Sequence, residues 1–130
     1  MNFKFPKNND KYSWTNHVGR KMMFYGLSAD RIKRVMRNPV RSEKGIAPNT
    51  IAVMQSTGSK TRPSEVWVMY AKRGKTKTII TAWRYPGISP IREAIPIPAD
   101  ILEELKKEGV IKDIKTLREI GDSAKQGRMS

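Results

Sequence analysis

"EVWVMYAKRGKTKTIITAWRY", residues 65–85, holds two runs of β-branched and aromatic residues on either side of Arg73-Gly74-Lys75. Such runs favour strands, and a glycine-centred triplet turns the chain, so the stretch predicts a β-hairpin at the centre of a sheet. Strict alternation would put Ile79, Thr81, Trp83 and Tyr85 on one face and Thr78, Ile80, Ala82 and Arg84 on the other. Upstream, "VRSEKGIA" (40–47) and "TIAVMQS" (50–56) flank the turn signal Pro48-Asn49 and predict two more strands. The four strands form an antiparallel meander.

Before the meander the period changes from two to about 3.6. Ser13 is expected to cap a helix running to about Tyr25, with Trp14, Val18, Met22 and Tyr25 on one apolar face and Gly26 ending it. Ser28 caps a second helix with Ile32, Val35 and Met36 inward and Arg31, Lys33, Arg34 and Arg37 outward, stopped at Asn38-Pro39. After the meander, "PGISPIREAIPIP" (86–98) has four prolines and predicts an extended strap leaving the sheet. Pro98 then precedes "ADILEELKKEG" (99–109), a short amphipathic helix stopped by Gly109; a weaker helix is expected around "IKTLREIG" (114–121), before a frayed end. The fold class is α+β: two N-terminal helices on a four-stranded antiparallel sheet, then the strap and a short helical tail.

The chain has 130 residues, enough for one substantial core. It has no Cys and one His, which excludes disulfide scaffolds, thiol catalysis and Cys- or His-rich metal centres, and neither metal nor cofactor is expected. No apolar run is long enough for a membrane span and no secretory signal is visible, so a cytoplasmic protein without a membrane partner is expected. "GSKTR" (58–62) lacks the strand-to-helix context of a phosphate-binding loop.

Net charge is +14, and it is unevenly placed. Residues 1–48 carry 11 Lys/Arg against 3 acids, residues 49–90 carry 7 against 1, and residues 91–130 carry 8 against 8. This divides the chain into a basic body, 1–90, and a neutral tail, 91–130. A basic body suits a polyanion, and nucleic acid is the commonest one.

"NHVGRKMMFYGLSADRIKRVMRNP" (16–39) and "IITAWRYP" (79–86) carry a resemblance. A His on the first helix, a "G-L-S…V…N-P" second helix and an "I-I-T-A-W" closing strand resemble the RelE-like toxin superfamily, which groups barnase, EndoU, the tRNase colicins and RelE. The chain is most similar to small uncharacterised bacterial RelE/BrnT-related proteins over about residues 13–87. The resemblance implies a curved sheet with the helices on one face and RNA on the open, concave face, cut by attack of its own 2′-hydroxyl. It also implies a toxin–antitoxin setting, with RNA (ribosome or tRNA included) and a small acidic antitoxin-like protein as partners. The chain departs from that pattern in its neutral tail of about forty residues and in lacking an obvious second His or Glu to pair with His17.

Metal-independent RNA cleavage needs a base, an acid and cations around the phosphorane. A neutral imidazole can take either proton role near pH 7. On a helix, Arg20 and Lys21 neighbour His17 on a flank rotated off the apolar stripe, which places His17 outside the core. The catalytic candidates are therefore His17, Lys21, Arg84 and Tyr85, with Tyr85 or Lys21 in the second proton role and Arg84 on the phosphate. Arg20, Lys72, Arg73, Lys75 and Lys77 are the RNA-binding candidates, the last four clustered at the hairpin tip. The alternative is a non-catalytic RNA-binding or ribosome-associated protein on the same scaffold. In a third reading, the neutral tail makes a protein contact, by folding back over the basic body or by docking a partner.

Overall fold

A computed structural model describes residues 4–91 and 93–111. The expected "IKTLREIG" helix lies outside the described residues. The chain is α+β, in the order β1 (Tyr12–Trp14), α1 (Asn16–Tyr25), α2 (Ala29–Arg37), β2 (Arg41–Lys44), β3 (Thr50–Gly58), β4 (Pro63–Arg73), β5 (Thr76–Pro86) and α3 (Ala99–Lys107). The sheet has five strands, not four, in the order β1-β5-β4-β3-β2. The four-strand meander is present, and β1 adds a parallel edge strand, with Tyr12, Ser13 and Trp14 opposite Lys77, Thr78 and Ile79. A three-residue strand shows no alternation to read, and its partner lies more than sixty residues away along the chain.

Because β1 takes Ser13 and Trp14, α1 starts later than the sequence suggested. Thr15, not Ser13, is its cap: Thr15 Oγ1 accepts from Val18 N and donates to Ile80 O at 2.9 Å, joining the helix start to β5. Gly26 closes α1 with φ 66°, a left-handed conformation that costs a residue with a Cβ more than it costs glycine. Ser28 caps α2 as expected, and α2 ends before Asn38-Pro39.

Two cores lie on opposite faces of the sheet. On one, Val18, Met22, Ile32, Val35 and Met36 from α1 and α2 cover Val53, Val66, Val68, Ile79 and Ala82. On the other, Ile101 and Leu105 from α3, with Ile95 and Ile97 from the strap, cover Met54, Trp67, Met69, Ile80 and Trp83. Ile101 and Leu105 are fully buried, and each such side chain stabilises the fold by about 1.5–3 kcal/mol. The hairpin's paired residues Trp67 and Trp83 stack within this second core, ring centroids 5.8 Å apart.

The strict alternation expected along β5 is broken. Met69 pairs with Thr81 and Tyr70 with Ile79, which leaves Ile80 unpaired in a β-bulge. Ile79 and Ala82 therefore face α1 and α2, while Ile80 and Trp83 face α3. Thr81, paired with Met69, is turned to the α3 face, next to the flank of α1.

Glu65 pins the strap. It is 2% exposed and accepts from Trp67 Nε1 at 2.9 Å and from Ser89 N at 3.0 Å. Arg41 reaches from β2 to Ser89 Oγ and to the carbonyls of Ile91 and Glu93.

Candidate functional site

Helix α1 runs along the β5 edge beyond β1, so its two flanks meet different layers. Val18 and Met22 enter the first core, and His17 and Lys21, one turn apart, point to the α3 side. Asp100, Glu104 and Glu108 recur every four residues on α3 and form one acidic row. Glu108 Oε2 lies 3.3 Å from His17 Nδ1 and 2.8 Å from Arg20. Glu104 Oε1 forms an ion pair with Lys21 Nζ at 2.8 Å, and Asp100 is 3.5 Å from the same ammonium. The pairing of 17 with 108 and of 21 with 100 and 104 makes the two helices antiparallel.

His17 is 1% exposed, contrary to the expectation that it lies outside the core. The helical stripe located its flank correctly, but α3 covers that flank. Its two nitrogens are both engaged: Nδ1 faces the Glu108 carboxylate and Nε2 lies 2.8 Å from Thr81 Oγ1. A carboxylate only accepts, so the network assigns the proton to Nδ1, and Thr81 donates to Nε2. Burial pulls the His17 pKa below its usual value and outweighs Glu108 and Glu104, which pull it up. The imidazole is thus held neutral and fully bonded. For Lys21, burial depresses the pKa, but Glu104 and Asp100 together overcome it and the ammonium is favoured.

The other predicted catalytic residues do not join His17. Arg84 is exposed, and its Nε donates to Tyr25 O at the far end of α1, eight residues from His17, or about 12 Å along a helix. Tyr85 is half-buried on the α3 face, against the second core. Lys21 is near His17 but held by carboxylates. The absence of a Glu to pair with His17 is also corrected: Glu104 and Glu108 supply it from the tail. A carboxylate row at i, i+4 and i+8, opposite a His/Lys pair at i and i+4, is the signal that could have revealed this contact. Glu65, an isolated acid opening an apolar strand, was equally readable.

Among the RNA-binding candidates, Arg20 is paired with Glu108. Lys72, Arg73 and Lys75 are exposed, Lys77 is half-exposed, and none of the four forms an ion pair among the described residues. Lys72 and Lys77 are cross-strand partners, and Lys77 Nζ sits 5.6 Å from the Tyr70 ring centre. Nearby on the α2 side, Lys33 lies over Tyr12 at 5.3 Å. Arg31 on α2 has its pKa lowered by burial first, then by Arg34 and Arg84, so three guanidinium groups share one region.

Below His17 a cleft of about 350 Å³ opens between the end of α3 and the sheet. His17 and Glu108 form one end, and Thr78 and Arg73 lie towards the hairpin tip. No group of three or more metal-ligating side chains occurs among the described residues, and no helix among them is long and apolar enough to cross a membrane. No family model, curated protein or solved structure matches the chain.

Proposed function

We propose that the chain is an RNA-binding protein on a RelE-like scaffold, acting without catalysis. The observation that carries this reading is the segregation of charge. Asp100, Glu104 and Glu108, the row of acids on the α1 side of α3, are spent on Lys21, His17 and Arg20, and Arg41 is paired with Glu43. Glu103 is exposed and lies off that row. The cations of α2, Arg84 and the hairpin tip are left without carboxylates among the described residues. Like charges held together repel, and a phosphate backbone relieves that repulsion while releasing counterions. The RelE-like part of the reading rests on the residue pattern of 16–39 and 79–86. The non-catalytic part rests on His17, whose two nitrogens are committed to Glu108 and Thr81 and whose expected partner Arg84 is at the other end of α1.

Anisotropy titration of single-stranded RNA at several salt concentrations tests the reading. Affinity should fall steeply with salt, and Lys72→Ala/Lys77→Ala should flatten the log–log slope by about 1.4, at about 0.7 per contact on a single strand. Salt-insensitive or absent binding sinks the proposal. RNA incubated with the protein without metal should stay intact. Cleavage that disappears in His17→Ala would instead establish the endoribonuclease reading.

A further inference from the structure

The cleft beside His17 differs chemically from one end to the other. Its floor is apolar, formed by Ala71, Ile80, Leu105 and Val110. At the hairpin end, Arg73 has no ion-pair partner among the described residues, and the Thr78 hydroxyl has no hydrogen bond there. At the opposite end, Glu108 uses Oε2 on His17 and Arg20, while Oε1 makes no hydrogen bond among the described residues. The buried His17 ring holds that carboxylate in place and closes the end wall.

A ligand for this cleft needs one anionic group for Arg73, an apolar middle, and hydrogen-bond donors for Glu108. A polyphosphate does not fit, because among the described residues Arg73 is the one unpaired cation lining the cleft and the carboxylate repels further negative charge. An aliphatic acid lacks the donors. A nucleotide has all three features: a phosphate, a flat base, and hydroxyl or amine donors on its ribose and base edges. The volume lies at the lower end of the range for ligand sites, enough for one such unit.

We propose that this cleft takes a single unstacked nucleotide of a bound RNA strand, with its phosphate on Arg73, its base over the apolar floor and its donors towards Glu108. This rests on the RNA-binding reading and deepens it. Lys75, at the hairpin tip next to Arg73, and Lys72 and Lys77, on the opposite face of the same hairpin, hold the strand by its backbone, and the cleft selects single strands because a paired base cannot enter it.

The test compares a short single-stranded RNA with the same sequence as a duplex, using the full chain. Thr78→Trp, a half-buried position on the cleft wall, should weaken single-strand binding about tenfold, the loss of one base's burial against the apolar floor, and leave duplex binding unchanged. Val110→Phe fills the cleft from the α3 side and should act alike, with circular dichroism confirming that each variant is folded. Arg73→Ala should weaken single-strand binding more than duplex binding. A mononucleotide, AMP, followed by amide chemical shifts, should perturb Thr15, Thr78 and Gly109. Wild-type single-strand affinity in both folded filling variants overturns the cleft proposal and leaves the RNA reading standing. If the wild type binds no RNA, the RNA reading falls. The AMP titration then decides the cleft, and unmoved shifts at those three amides overturn it.

Discussion

His17 is the residue whose environment most changes what the chain can do. Its side chain is buried, bonded at both nitrogens and biased towards the neutral form. The unfolded chain takes up the His proton near its ordinary pKa of about 6.5, and the folded chain does so only at lower pH. His17 therefore contributes stability that is fully present above about pH 6.5 and is lost as pH falls towards the depressed folded value. The urea midpoint should drop between pH 7.5 and 5.5 in the wild type, and His17→Gln should flatten that dependence. Identical pH profiles would show that the imidazole is not held neutral. Glu65 makes a second prediction at this scale. Glu65→Leu strands two buried donors, Trp67 Nε1 and Ser89 N, each at a cost of about 1–3 kcal/mol, so stability should fall by about 3 kcal/mol in chemical denaturation.

Helix α3 joins a tail of balanced charge to the basic body. It does so with two apolar anchors, Ile101 and Leu105, and an acidic row that meets α1. The anchors dominate energetically. Leu105→Ala should cost about 3 kcal/mol in denaturant titration, and a loss under about 0.5 kcal/mol would show that the helix is not part of the folded core. Glu104→Gln should cost about 1 kcal/mol, because Glu104 is partly solvated and its contact with Lys21 is screened accordingly. The bulge at Ile80 is the other decisive element-level feature. It turns Thr81 towards His17 while Ile79 and Ala82 remain in the first core. Strict alternation along "TKTIITAWRY" could not reveal it, because a bulge is set by the register with β4 and not by β5's own pattern.

Over the whole molecule, the two faces divide by charge. The α3 side pairs Asp100, Glu104 and Glu108 with α1, and the α2 side and hairpin tip keep their cations without carboxylate partners among the described residues. If that segregation drives RNA binding, reversing it should abolish binding without unfolding the chain. Arg31→Glu/Arg34→Glu changes two helix positions outside the buried set of α2 and should eliminate detectable RNA binding at moderate salt, with the urea midpoint near wild type. Undiminished RNA affinity in that variant would place the interface elsewhere.

By itself, the sequence determined the central hairpin, the caps at Ser28 and Gly26, the apolar stripe of α2, Val18 and Met22 of the α1 stripe, the stop at Gly109 and the α+β class. Each of these is a local property, set by side-chain period, turn chemistry or a single φ preference within a few residues. The parallel strand β1, the bulge at Ile80, the burial of His17 and the Asp100–Glu104–Glu108 row against α1 were decided by tertiary structure. Strand β1, the burial of His17 and the acidic row against α1 depend on contacts between segments sixty to ninety residues apart, and the bulge depends on the register between the two strands of the hairpin. In each case the outcome is set by how two segments meet and not by either one alone. The flank holding His17, Arg20 and Lys21 was legible as a flank off the apolar stripe. Whether it met solvent, RNA or the chain's own tail depended on where α3 docked, and α3 docks there because Ile101 and Leu105 cover the sheet face that holds the stacked Trp67 and Trp83.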